Sequence, residues 1–80
     1  MFRTLVKTEA VAVEDQSFLV RYFELRTVRG LRRYSAEILL GPGDRIILDD
    51  DSVTNLETRT TNLVPATLYS RLLAGRATAA

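Results

Sequence analysis

Glycine punctuation is what most limits this chain. Gly30 and the triplet Gly41-Pro42-Gly43 bracket the segment Leu31–Leu40, in which Tyr34, Ala36, Ile38 and Leu40 alternate with Arg33, Ser35 and Glu37. A period of two puts those sets on opposite sides of an extended strand. Glycine enters the left-handed region without a Cβ penalty, so Gly30 can reverse the chain, and Gly-Pro-Gly ends any regular element. A strand held between two reversals pairs antiparallel with both of its sequence neighbours.

The segment Phe18–Val28, rich in β-branched and aromatic residues, is the expected partner on one side. A two-residue loop at Arg29-Gly30 pairs Leu25 with Tyr34, Phe23 with Ala36, Arg21 with Ile38 and Leu19 with Leu40. A three-residue loop sets Leu25 opposite Arg33 and mixes the faces. A one-residue slip inverts a whole strand, so the two-residue loop is the expectation. By the same logic a turn at Asp15-Gln16 pairs Lys7 with Glu24, an opposite-charge match, and sets Val6 beside Leu25. A three-residue loop over Gly41–Gly43 pairs Ile38 with Ile46 and Ala36 with Leu48. The expected sheet is a four-stranded antiparallel meander. Its core face carries Val6, Leu19, Phe23, Leu25, Tyr34, Ala36, Ile38, Leu40, Ile46 and Leu48.

The C-terminal segment supplies the cover. Asp51-Ser52 is a plausible N-cap and Thr54…Glu57 an alternative capping box. Val53, Leu56, Thr60, Leu63 and Val64 keep helical spacing, although Thr and Asn are mediocre helix formers and docking must supply much of the helicity. Pro65 disfavours helix at Val64, which predicts a break there. A second short helix, Pro65 to Ala74, then carries Leu68, Leu72 and Leu73 and stops at Gly75. The expectation is α+β, ββββαα: a single domain over residues 1–75 with a frayed tail at 76–80. At 80 residues, such a chain buries only ~60% of its unfolded surface.

The second sheet face is where function is expected. In the expected register its polar end holds Lys7, Glu24, Arg26, Arg33, Ser35, Asp49 and Asp51. Its other end holds Val11, Val13, Phe18, Val20, Tyr22, Leu39 and Ile47, with nothing in a two-layer domain to cover them. Contiguous exposed apolar patches mark interaction surfaces, and small domains commonly bury such a face by homodimerisation. These seven residues are therefore the predicted binding surface for a second copy or for an unidentified protein. Three alternatives would remove the patch: the C-terminal segment wraps around an edge, the register at Asp15-Gln16 differs, or the strands curl into a barrel.

Chemistry is sparse. There is no Cys and no His, which removes thiolate nucleophiles, zinc-thiolate sites and the commonest general base. Ser17, Ser35, Ser52 and Ser70 have no histidine to activate them. Glu24 and Glu37 share a face in the expected register, but an open surface leaves a carboxylate pair unremarkable as acid and base. The run Asp49-Asp50-Asp51 suggests a hard cation, yet Asp50 points away from its neighbours and no calcium-loop spacing follows. It reads better as a strand end before a helix N-terminus, where negative charge is favourable. Gly41-Pro42-Gly43-Asp44 lacks the P-loop pattern and reads as a turn. Tyr22, Tyr34 and Tyr69 read as core or edge residues, and Lys7 as the partner of Glu24. No catalytic residue, metal ligand or cofactor motif is expected.

The alternative functional reading is nucleic-acid or anion binding by the hairpin over residues 21–33. Five arginines there face only Glu24, and Arg26, Arg29, Arg32 and Arg33 crowd its tip, with Arg26 expected opposite Arg33. A net charge of +1 argues against a basic footprint. Asp49 and Asp51 can also neutralise that corner. The N-terminus lacks a signal-peptide core, and the longest apolar run, Ala10–Val13, is four residues. A soluble cytoplasmic protein is the expectation.

Overall fold

The structure, a computed structural model, describes the backbone of residues 2–79 and the side chains of residues 3–73. Strands β1 (Phe2–Val13), β2 (Gln16–Arg26), β3 (Arg32–Gly41) and β4 (Asp44–Asp50) form one antiparallel sheet in the order β1-β2-β3-β4. Helix α1 (Val53–Ala79) lies against β1, β3 and β4 on one side of it. The architecture is α+β in two layers.

The expected pair of short helices is a single helix, and Pro65 sits inside it. The reason is the stripe that the two halves share. Leu56, Thr60, Leu63, Val64 and Leu68 follow one another at helical spacing and are buried or half-buried, whereas Pro65 is exposed. The carbonyl deprived of a donor by the proline belongs to Thr61, also exposed, where water can replace the bond. Gly75 likewise lies within the helix. The side chains of the expected tail, 76–80, lie outside the described residues.

At the other end Ser52 is the N-cap. Its Oγ accepts from Asn55 N at 3.3 Å, and its carbonyl accepts the first helical bond from Leu56 N at 3.2 Å. Glu57 is not part of a capping box; it accepts from Lys7 Nζ at 2.6 Å, tying α1 to β1. Arg59 reaches Asp50 Oδ2 at 3.3 Å, and Arg71 grips Asp44 with two nitrogens. Ion pairs to both ends of β4 thus anchor the helix along the sheet. The Arg71 guanidinium holds the Asp44 carboxyl below its ordinary value.

The register differs from expectation at both hairpins of β2. Leu25 pairs with Arg33, Tyr22 with Ala36 and Val20 with Ile38: the one-residue slip that hydrophobic matching disfavours. The cause is the turn. Gly30 N donates to Thr27 O at 2.9 Å, Thr27 N to Leu31 O at 3.0 Å, and Leu31 N to Thr27 Oγ1 at 3.1 Å. These bonds close a three-residue loop, Val28-Arg29-Gly30, whose last residue has φ +79°. That is the hairpin whose third position needs a left-handed residue, and glycine occupies it.

The first turn is Glu14-Asp15, not Asp15-Gln16, and pairs Val13 with Gln16. Lys7 therefore faces Tyr22 and not Glu24. This slip is by two residues and preserves the faces, so β1 beyond its irregularity at Val6 inverts together with β2. The β3–β4 pairing is as expected, Ile38 with Ile46 and Ala36 with Leu48. Its loop is closed one step nearer the tip, by Gly41 with Asp44.

The consequence is an exchange of faces. Phe18, Val20 and Tyr22, expected on the open side, are buried under α1 with Ala36, Ile38, Leu56 and Val64. Val11 and Val13 pack half-buried at the margin of that cluster. Leu19, Phe23 and Leu25, expected in the core, lie on the side without a helix. Tyr34, Leu40, Ile46 and Leu48 keep their expected place.

Candidate functional site

The uncovered side of the sheet is built in rows set by the pairing. Ala10, Leu19, Leu39 and Arg45 form one row across the four strands. Thr8, Arg21, Glu37 and Ile47 form the next, and Leu5, Phe23, Ser35 and Asp49 the third. Arg3, Leu25 and Arg33 follow at the end. Leu5, Leu19 and Ile47 are 52%, 44% and 54% exposed, and Leu25 and Leu39 are half-buried. No described element covers them.

At the centre sits Glu37, whose side chain is only 2% exposed although the layer above it is missing. Its cover is one side chain thick and consists of arginines. Arg21, directly opposite on β2, donates to Oε1; Arg45 Nη1 donates to Oε2 at 2.9 Å; Arg3 Nη2 stands 3.7 Å from Oε2. Three guanidinium groups on one carboxylate are more than charge balance needs. The Arg21 hydrogen bond, reinforced by Arg45 and Arg3, holds the Glu37 carboxyl below its ordinary value. It is therefore an ionised anchor for arginines and a poor proton carrier. Arg3 also lies over the Phe23 ring, 3.6 Å from its centroid, in cation–π contact that shields the ring from water. Arg21 Nε is covered and has no hydrogen-bond partner among the described residues.

The predicted binding residues are divided by this arrangement. Leu39 and Ile47 lie on the uncovered face. Val11, Val13, Phe18, Val20 and Tyr22 pack beneath α1, so the seven do not form one patch. The Tyr22 phenol is pushed up to about 12, chiefly by burial. Nearby, Thr60 Oγ1 is buried without a hydrogen-bond partner among the described residues. Leu5, Leu19, Phe23 and Leu25 take the place of the five. The signal that could have found them is the opposite charge of Arg21 and Glu37, which become direct cross-strand neighbours only when the loop has three residues.

The four hairpin arginines do not share a surface either. Arg26 pairs with Arg32, not with Arg33. Glu24 lies between that pair, 3.2 Å from Arg26 Nε and 3.8 Å from Arg32 Nε. Arg33 lies on the uncovered face and Arg29 in the loop. Glu24, opposite Tyr34, faces the helix side, away from Glu37, so the two carboxylates do not meet. In the acidic run, Asp50 accepts from Asp51 N at 2.8 Å and from Asn55 Nδ2 at 3.3 Å. Hydrogen bonds with Asp51 and Asn55 lower its pKa and commit it to the helix start. Among the described residues, no group of three or more ligating side chains gathers at one point. No described helix is long and apolar enough to cross a membrane.

No family model matches the sequence, and no curated protein or solved structure matches it. The uncovered face must be read from its own chemistry.

Proposed function

We propose that this chain is a non-catalytic protein-interaction module that pairs with a second copy of itself through the uncovered sheet face. The observation that carries the reading is a sheet with α1 on one face, whose other face, uncovered among the described residues, presents Leu5, Leu19, Leu25, Leu39 and Ile47. Four strands ~4.8 Å apart and about eight residues deep project roughly 500 Å². Side-chain relief raises the accessible area toward the ~800 Å² that a standard interface takes from each partner. A second copy is the simplest occupant, because an isologous contact needs no further gene product and gives each apolar row an apolar row to meet.

The ionised state of Glu37, its hydrogen bonds to two arginines and the absence of His and Cys from the chain support a binding role over a catalytic one. Nucleic-acid or anion binding by Arg26, Arg29, Arg32 and Arg33 gains no support from the geometry, because Glu24 occupies two of the four and a third lies on the other face.

Sedimentation equilibrium provides the test. The wild type should be dimeric at micromolar concentration. Ile47→Glu should be monomeric with an unchanged far-UV circular dichroism spectrum, since Ile47 is exposed within the single chain. A wild type that stays monomeric at hundreds of micromolar would overturn the proposal.

A further inference from the structure

The three central rows carry a pattern that a second copy can match in one way. On one side of the row Thr8–Arg21–Glu37–Ile47 lie Ala10, Leu19, Leu39 and Arg45; on the other side lie Leu5, Phe23, Ser35 and Asp49. Compared strand by strand, the flanking rows are complementary. Small Ala10 is matched by Leu5, Leu39 by small Ser35, Leu19 by Phe23, and cationic Arg45 by anionic Asp49. A twofold axis lying along the central row, across the strands, lays each strand over its own copy with the direction reversed. It places each flanking row on the other.

We propose that two copies pack face to face about this axis, with Arg45 of each chain paired to Asp49 of the other. The inference rests on the self-association reading above and specifies its geometry. Face-packed sheets lie ~10 Å apart and within about 30° of parallel. At β4, about 7 Å from the sheet midline, that rotation displaces the rows by roughly one residue, which an arginine spans. Arg21 and Glu37 meet their copies as a pair already neutral within each chain. The other face-to-face twofold, along the strands, sets β1 over β4. It lays Arg45 on Ala10 and Asp49 on Leu5, so the Asp49 carboxylate is desolvated with no cation across from it, which is costly. Arg33 falls at the rim, where solvent remains, whereas Arg3 reaches inward over Phe23 toward Glu37 and is enclosed by the contact.

Charge exchange tests the geometry. Because the contact occurs twice in the dimer, Arg45→Asp and Asp49→Arg should each weaken association at least tenfold, measured by sedimentation equilibrium with circular dichroism as the check on folding. The double variant should recover several-fold over the weaker single variant, short of wild type because Arg45 also donates to Glu37 within its own chain. Isotope-filtered NOEs in a mixed-label dimer give an independent readout: Leu19 methyls should contact the Phe23 ring of the other copy, a pair four residues apart on one strand and out of reach within a chain. A wild type that dimerises without those NOEs, and whose double variant is no tighter than the weaker single variant, overturns this geometry and leaves self-association standing. A monomeric wild type overturns both.

Discussion

The two faces of one sheet solve the same problem by different means. Under α1, burial is by apolar interlocking: Val20, Ile38, Leu56 and Val64 are each inaccessible to water, and the polar groups admitted there, Tyr22 and Thr60, are uncharged. On the opposite side the deepest group is a carboxylate, Glu37, hidden by the arginines that bind it. The helix supplies a layer of carbon; the open face shields itself with charge. The contrast shows that burial alone does not identify core. A residue can be covered by a second layer or by its flanking neighbours, and the second kind remains available to a partner.

The sharpest way to break this contrast is to place the same charge on both faces. Val20→Glu sets an unpaired carboxylate beneath α1, which costs several kcal/mol and should leave no cooperative unfolding transition in a domain whose total stability is ~5–15 kcal/mol. Ile47→Glu should leave the fold intact. A folded Val20→Glu chain, detected by circular dichroism and thermal melting, would mean that the faces are misassigned.

A smaller effect is expected at Glu37. Glu37→Gln keeps the shape but loses charge-assisted hydrogen bonds worth roughly 1.5–3 kcal/mol each in a favourable setting, less here because the arginines are about half exposed and can rehydrate. A fall of about 1–2 kcal/mol in urea denaturation at pH 7 is expected. The pH dependence has a definite sign. The carboxyl is held below its ordinary value in the folded chain. Its contribution is therefore complete above the unfolded pKa, ~4.3, and is lost as the pH falls through the folded value. Asp44 and Asp50, also lowered, add to the same acid limb. The Gln variant should lose stability less steeply than wild type below about pH 4.5; equal slopes would show that the arginine cover does not favour the charged form.

The mildest changes sharpen how the faces are chosen. Gly30 has φ +79° with open space around an added Cβ, so Gly30→Ala should cost only the backbone strain, about 1 kcal/mol, lowering the melting temperature by ~4–8 °C. Glu14 has φ +55° without being glycine. Glu14→Gly should act in the opposite direction by ~0.5–1 kcal/mol, as seen by differential scanning calorimetry. Together they ask whether the two turns, and not strand hydrophobicity, decide which side of β2 meets the helix.

Much of the fold was readable from the chain. The alternation in β3 and the Gly-Pro-Gly break predict the β3–β4 register, and Ser52 is recognisable as a cap. The β2–β3 register was not, because β2 is apolar on both sides: Phe18, Val20 and Tyr22 compete with Leu19, Phe23 and Leu25. Hydrophobic matching cannot rank two such faces, and the expected pairing put Arg21 opposite Ile38. The third-position glycine and the Arg21–Glu37 charges carry the missing information. Pro65 misleads for a related reason, since its local penalty falls on the solvent side of a helix that docking keeps continuous.

By itself the sequence determined four strands, their antiparallel order, a helical cover and a leftover apolar face, because periodicity and turn residues act locally. Only the tertiary structure decided which residues form that face and that Glu37 gathers three arginines upon it. Those outcomes depend on pairing across strands, where a shift of one residue moves every side chain to the other side.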